Sequence, residues 1–136
     1  EPHSRERLLA GAMIPSAWYL QAQRFRRHAR QAMKSLFSQA DVLIAPATPC
    51  SATPIGAEEM VINGQPLPVR ASMGMLTQPI SFLGLPVVTV PLRTASGKPI
   101  GLQLIAAPFN EQACLRAARA LEAMGITDAR VAESAA

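Results

Sequence analysis

The side chains able to carry out chemistry are few in this chain of 136 residues, and most stand in poor company. His28 lies among Arg24, Arg26, Arg27 and Arg30, with no Asp or Glu close in sequence to orient its ring. A histidine acting as general base needs an orienting partner and a proton acceptor's environment, so His28 reads as a residue on a solvated helix face. Cys50, within Pro49-Cys50-Ser51, lacks the strand-to-helix elbow that presents a nucleophile, and reads as a small residue filling a loop. The only lysines are Lys34, on an exposed helix face, and Lys98, in a Gly97-Lys98-Pro99 turn. Neither is placed for the desolvation that turns a lysine into a base. The run Arg24, Arg26, Arg27, Arg30 and Lys34 is suited to phosphate contacts, yet only Phe25 interleaves and no recognition motif surrounds it. It reads as a solvated face or a contact between subunits rather than a nucleic-acid module.

The elements that must position such residues follow from periodicity. A short helix is predicted from Arg5 to Met13, with Ser4 as N-cap and Pro15 as its stop. A longer one is predicted from Ser16 to about Gln39. In it Trp18, Ala22, Phe25, Ala29, Met33 and Leu36 or Phe37 recur at three- and four-residue steps and should pack. The opposite face, with Gln23, Arg24, Arg27, Arg30, Gln31 and Lys34, should meet water or a partner. Asp41-Val42-Leu43-Ile44-Ala45, closed by Pro46, is a continuous apolar run of the kind found inside a sheet. Irregular chain follows to about Gln78, interrupted by a hairpin in which Asn63-Gly64 joins Met60-Val61-Ile62 to Gln65-Pro66-Leu67. Thr77 to Leu83 should make one or two helical turns capped by Thr77 and ended by Gly84. Pro86 to Leu92 and Ile100 to Ala106, separated by Thr94-Ala95-Ser96-Gly97-Lys98, should pair as antiparallel strands. Asn110 should cap a last helix whose inner face is Ala113, Leu115, Ala117, Ala118, Leu121 and Met124, ending at Gly125. The chain from Thr127 onward reads as a tail.

Composition bounds the rest. An apolar fraction of 49% is enough for a core, and with few aromatics that core is built from Ala, Leu, Ile, Val and Met, as in an α/β fold of helices packed on a sheet. The net charge of +4 is modest and concentrated between Arg24 and Lys34. Cys50 and Cys114 form neither a disulfide framework nor a C-x-x-C pair, which suits a reducing cytoplasm, and no metal site or cofactor motif is readable. No apolar run is long enough for a membrane span and no signal peptide opens the chain. The chain begins Glu1-Pro2-His3-Ser4 without methionine and soon enters a helical pattern, and three buried-type strands leave apolar edges. Both features predict a piece of a longer protein.

The Pro- and Gly-rich loops carry the most specific signal. In order come Asp41-Val42-Leu43 with Pro46 and Pro49, then Thr77-Gln78-Pro79 with Gly84 and Pro86, then Val90-Pro91, then Gly97-Lys98-Pro99-Ile100-Gly101-Leu102-Gln103, and last Glu111 with Leu115 and Ala118. This series resembles the C-terminal part of the amidase-signature family, over about Arg7 to Glu122. The resemblance implies a mixed sheet covered by helices, with residues 1–126 as the C-terminal segment of an amidase domain. It also implies amide hydrolysis by a serine nucleophile, a second serine in a cis peptide and a lysine base, set in an upstream Gly/Ser-rich segment that this chain does not contain. No catalytic residue is therefore assigned in this chain.

Within that resemblance, Arg7 occupies a place where relatives acting on carboxylate-bearing substrates keep an arginine, and a guanidinium can grip a carboxylate with two bonds. Thr77 and Gln78 are expected to line the substrate pocket. Gly74 stands where glutamyl-tRNA amidotransferase subunits place an aspartate, and the wording around Ala17-Trp18-Tyr19-Leu20 and Leu76-Thr77-Gln78-Pro79 is closest to the carboxybiuret amidohydrolases. The expected partners are a small urea-like amide substrate, the missing N-terminal part of the same enzyme, further copies in a homo-oligomer and a small helical accessory subunit. No cofactor is implied. The competing readings are an inactive truncated scaffold, a basic-helix binding module and one of the amidotransferase subunits.

Overall fold

The computed structural model describes residues 2–127, and the expected tail beyond Thr127 lies outside the described residues. The chain divides into two compact units between Ser35 and Leu36. The first holds α1 (Pro2–Ala12) and most of α2 (Ser16–Phe37). Helix α1 starts earlier than the predicted Arg5, because a proline at the first helical position loses no intrahelical bond and its φ is already helical. Ser4 is thus inside the helix and not its cap. Pro15 separates the helices as expected, and its carbonyl accepts the first α2 bonds from Trp18 and Tyr19 at 2.9 and 3.3 Å.

The apolar stripe of α2 is only partly covered. Met33 and Phe37 are half-buried, whereas Trp18 is 70% and Phe25 63% exposed, so the expectation that the whole stripe packs is corrected. The described part of α1 is itself exposed along its length and supplies no layer to cover it.

The second unit holds the sheet. Strands β1 (Val42–Pro46), β4 (Val87–Arg93) and β5 (Pro99–Ala106) form an antiparallel sheet in the order β1-β5-β4. The hairpin reading holds: β2 (Glu59–Ile62) and β3 (Gln65–Pro68) pair around Asn63 and Gly64, at φ 52° and 78°, the left-handed conformations a two-residue turn requires. The pairing of β4 with β5 also holds, with Val87 opposite Ile105 through Arg93 opposite Pro99. The interior strand is β5, not β1. Among the described residues β1 is an edge, and its Ile44 is 61% exposed.

Three short or terminal features complete the unit. The four-residue α3 (Val69–Ser72) has no counterpart in the elements expected from sequence. Helix α4 (Gln78–Leu83) ends as expected on left-handed Gly84, whose N–H reaches the Ile80 and Ser81 carbonyls. Helix α5 (Glu111–Ala123) closes with Gly125 N–H on the Glu122 carbonyl at 2.9 Å and Ile126 N–H on the Leu121 carbonyl at 3.0 Å, a paired arrangement that satisfies its last carbonyls. Asn110 precedes α5 as expected, but makes no side-chain cap bond.

Side chains alternate along β5. Leu102, Leu104 and Ala106 share a face with Val42, Ile44, Val88 and Val90, while Gly101, Gln103 and Ile105 share the other with Leu43, Ala45, Val87 and Thr89. Helix α5 covers the first face. Ala113 and Cys114 pack with Ala106, Val42 and Val88. Leu115 and Met124, expected on the inner face, point outward at 59% and 70% exposure, because the small Ala113 and Cys114 let the helix approach the sheet on their side instead.

Candidate functional site

The second face of the sheet carries the loops. Its central residue, Gln103, is 2% exposed. An amide that deep must find hydrogen-bond partners or lose a substantial part of the stability it was meant to provide. Gln103 Nε2 donates to the Pro46 carbonyl at 2.9 Å and to the Leu76 carbonyl at 3.2 Å. One side chain therefore joins the end of β1 to the residue before Thr77.

The loop after β1 is held by close approach. Ala47, buried, donates its N–H to the Gly101 carbonyl at 2.8 Å. A Cβ on Gly101 would lie 2.9 Å from both Ala47 Cβ and Thr89 Cγ2, so only glycine leaves room for the loop against β5 and β4. Next, Thr48 Oγ1 donates to the Cys50 carbonyl at 2.8 Å, and the Cys50 thiol contacts Met60 Sδ at 3.6 Å, tying the loop to the hairpin. An open cleft of about 610 Å³ lies along this face, lined by Thr48, Cys50, Met73, Thr89, Pro91 and Gly101 among others, with no charged side chain.

The loop before α4 turns on Gly74. Its carbonyl accepts from Thr77 N–H at 3.1 Å, from Gln78 N–H at 2.9 Å and from Thr77 Oγ1 at 3.2 Å. Thr77 was expected to cap α4 through its side chain, and it does not; its hydroxyl is spent on the turn behind it. The Gln78 carboxamide occupies the space above Gly74, where a Cβ would meet its Nε2 at 3.0 Å.

Of the residues singled out in the sequence, Thr77 is half-buried and Gln78 exposed, adjacent on one loop, and neither lines the open cleft. Arg7 lies exposed on α1 in the first unit. His28 and Lys34 lie on α2, and Lys98 is exposed in the β4–β5 turn. Cys50 faces a thioether rather than a base, while Cys114 is fully buried and donates to the Pro86 carbonyl at 3.6 Å. Burial pushes the Cys114 thiol up, which makes it a poor nucleophile. Among the described residues no three His, Cys, Asp or Glu side chains gather as a metal site, and no helix is long and apolar enough to cross a membrane. The described side chains can shape and hydrogen-bond a ligand; they do not form a nucleophile with its base. Gln103 entered the sequence reading only as the last position of a motif, since its partners are carbonyls 57 and 27 residues away.

Comparison with known proteins identifies the family. A model of the amidase family matches residues 3–115. The AtzE component of 1-carboxybiuret hydrolase from Pseudomonas sp. strain ADP is 53% identical over 128 residues, covering 93% of this chain and 28% of that protein. A glutamyl-tRNA(Gln) amidotransferase subunit from Roseiflexus sp. strain RS-1 is 38% identical over 120 residues, covering 85% and 24%. Among solved structures, a chain from a vestigial protein complex reported to reveal the evolutionary origins of an s-triazine catabolic enzyme matches with a TM-score of 0.89 at 51% identity, covering 96% of this chain and 29% of that one. A crystal structure of an amidase matches at 0.84 and 31% identity, covering 91% and 29%. The chain thus spans less than a third of the length of these relatives.

Proposed function

The chain belongs to the amidase family, and we propose that it is the C-terminal, substrate-shaping part of an enzyme that hydrolyses amide C–N bonds. Residues 1–126 form this segment of the amidase domain. The upstream part supplies the attacking serine, the cis-peptide serine and the lysine base. The observation that carries the reading is the 53% identity, over 93% of the chain, to a component of 1-carboxybiuret hydrolase. On that basis the substrate is a small, urea-like amide bearing a carboxylate. Arg7 binds the carboxylate with its forked guanidinium, and Thr77 and Gln78 line the pocket. The enzyme works in the cytoplasm as a homo-oligomer together with a small accessory subunit.

A role in a tRNA-dependent amidotransferase is the second reading, favoured by 38% identity to components of such enzymes. The residue type at Gly74 speaks against it. Those enzymes are expected to carry an aspartate there, and this chain has none.

Substrate charge provides the test. In the enzyme containing this chain and its upstream part, Arg7→Ala should raise KM for a carboxylated urea-type amide by about tenfold or more, the loss of a charge-assisted bidentate contact, and leave a neutral amide almost unaffected. Equal effects on both substrates would remove Arg7 from the anion site.

A further inference from the structure

We infer that Gln103 is a positioning residue for the pocket, a carboxamide brace that sets the loop after β1 and the loop before α4 in register with each other. This rests on the reading of Thr77 and Gln78 as pocket residues.

The position is an unusual one for a polar side chain. Gln103 is in the middle of the central strand, flanked in register by Ala45 and Thr89, and is 2% exposed. If that position served packing alone, a β-branched apolar residue would satisfy it better, since strands favour such residues and no polar group would need a partner. The amide instead uses both hydrogens of one nitrogen on two carbonyls, those of Pro46 and Leu76. Pro46 is the last residue of β1 and leads directly into the Ala47-Thr48-Pro49-Cys50 loop. Leu76 leads directly into Thr77 and Gln78.

Two loops far apart in sequence are therefore referenced to one rigid point on the sheet. Their own side chains cannot do this. Thr77 Oγ1 bonds within its own turn, to Gly74, and Thr48 Oγ1 bonds within its own loop, to Cys50. Each loop has its own internal side-chain hydrogen bond, and the Gln103 amide bonds to both. Glutamine has the chemistry for the task because two carbonyl oxygens need two donors on one atom. Glutamate of the same length offers, when ionised, only acceptors, and methionine offers no donor.

The variants are made in the complete enzyme. Gln103→Met keeps volume and removes both donors. It should raise KM for the carboxylated amide about fivefold or more, with kcat changed much less, because the pocket loops lose their reference while the upstream serine and lysine are untouched. Hydrogen exchange without substrate should show the backbone amides of Ala47, Thr48 and Cys50 and of Thr77 and Gln78 exchanging about tenfold faster, with α5 unchanged. Val88→Ala, on the α5 face, is the control for lost stability. It should lower the melting temperature without moving KM or the loop exchange rates.

If Gln103→Met does not fold, Gln103→Glu decides. Its KM should be high at alkaline pH, where a carboxylate faces two carbonyls, and should fall as the pH is lowered and the protonated group regains one donor. The brace is overturned if KM and loop exchange stay at wild-type values in a Gln103 variant that folds, or if Val88→Ala reproduces the same changes. Failure of the functional reading looks different. The wild-type enzyme would then be inactive on the amide while the selective change in loop exchange persisted.

Discussion

On the face of β5 that carries Leu104 and Ala106, α5 covers an apolar layer in which Ala113 and Cys114 pack with Ala106, while Ile44 on the β1 edge stays exposed. On the face that carries Gly101 and Gln103, two loops are held by hydrogen bonds to carbonyls and by one close approach that only glycine permits, and a thiol–thioether contact ties the hairpin to one of them. Neighbouring residues of one strand thus serve different ends, since alternation sends them to opposite sides. The first face resists unfolding through burial. The second keeps segments in place while leaving their ends exposed, which suits a surface that a substrate must reach.

Removing packing from the first face should have the largest effect. Leu104 is fully buried, and Leu104→Ala should cost about 2–5 kcal/mol of stability, read from the shift in denaturant midpoint, through lost transfer energy and a residual cavity. A loss below about 1 kcal/mol would mean that this layer does not carry the packing. On the second face, Gly101→Ala should cost about 1–3 kcal/mol by overpacking, because Ala47 Cβ and Thr89 Cγ2 must both yield. Its effect on KM should exceed that of Leu104→Ala, although it is the milder lesion for stability. The reverse order would erase the distinction between the faces.

The smallest effect concerns the two thiols. Cys114, fully buried beneath α5, has its thiol pushed up by burial, whereas Cys50 is half-buried beside Met60. In the native enzyme a thiol reagent should modify Cys50 and spare Cys114. Because the folded thiol at 114 ionises less readily than the unfolded one, its contribution to stability is complete below the ordinary thiol range near 9.0 and declines as the pH rises through it. A Cys114→Ala variant should therefore show a shallower alkaline loss of stability than the parent.

Which parts were legible in the sequence follows from the range of the interactions. The β2–β3 hairpin was readable because Asn63 and Gly64 are the residue types that adopt positive φ in a two-residue turn. The span of α2 and the pairing of β4 with β5 were readable from period and from a Gly-containing connection. The amidase resemblance was readable because its motifs are loop-end prolines and glycines in fixed order. Burial in α2 was not, since an amphipathic stripe states that a face is apolar but not what covers it: Trp18 and Phe25 remain exposed. Helix α3 is too short to show a period. A short apolar run such as Val42 to Ala45 reads alike in the middle of a sheet and at its edge. The Thr77 hydroxyl chose a local carbonyl over the helix end, and Gln103 chose carbonyls remote in sequence; neither choice leaves a mark in residue type or spacing.

The most direct test of the account is ammonia release by the enzyme containing this chain and its upstream part, assayed with a carboxylated urea-type amide and, separately, with glutamine and a charged tRNA acceptor. Turnover of the carboxylated amide with no need for glutamine is the predicted result. Activity that appears only with glutamine and the acceptor, or no turnover of any amide by a folded enzyme carrying the serine and lysine residues, would contradict it.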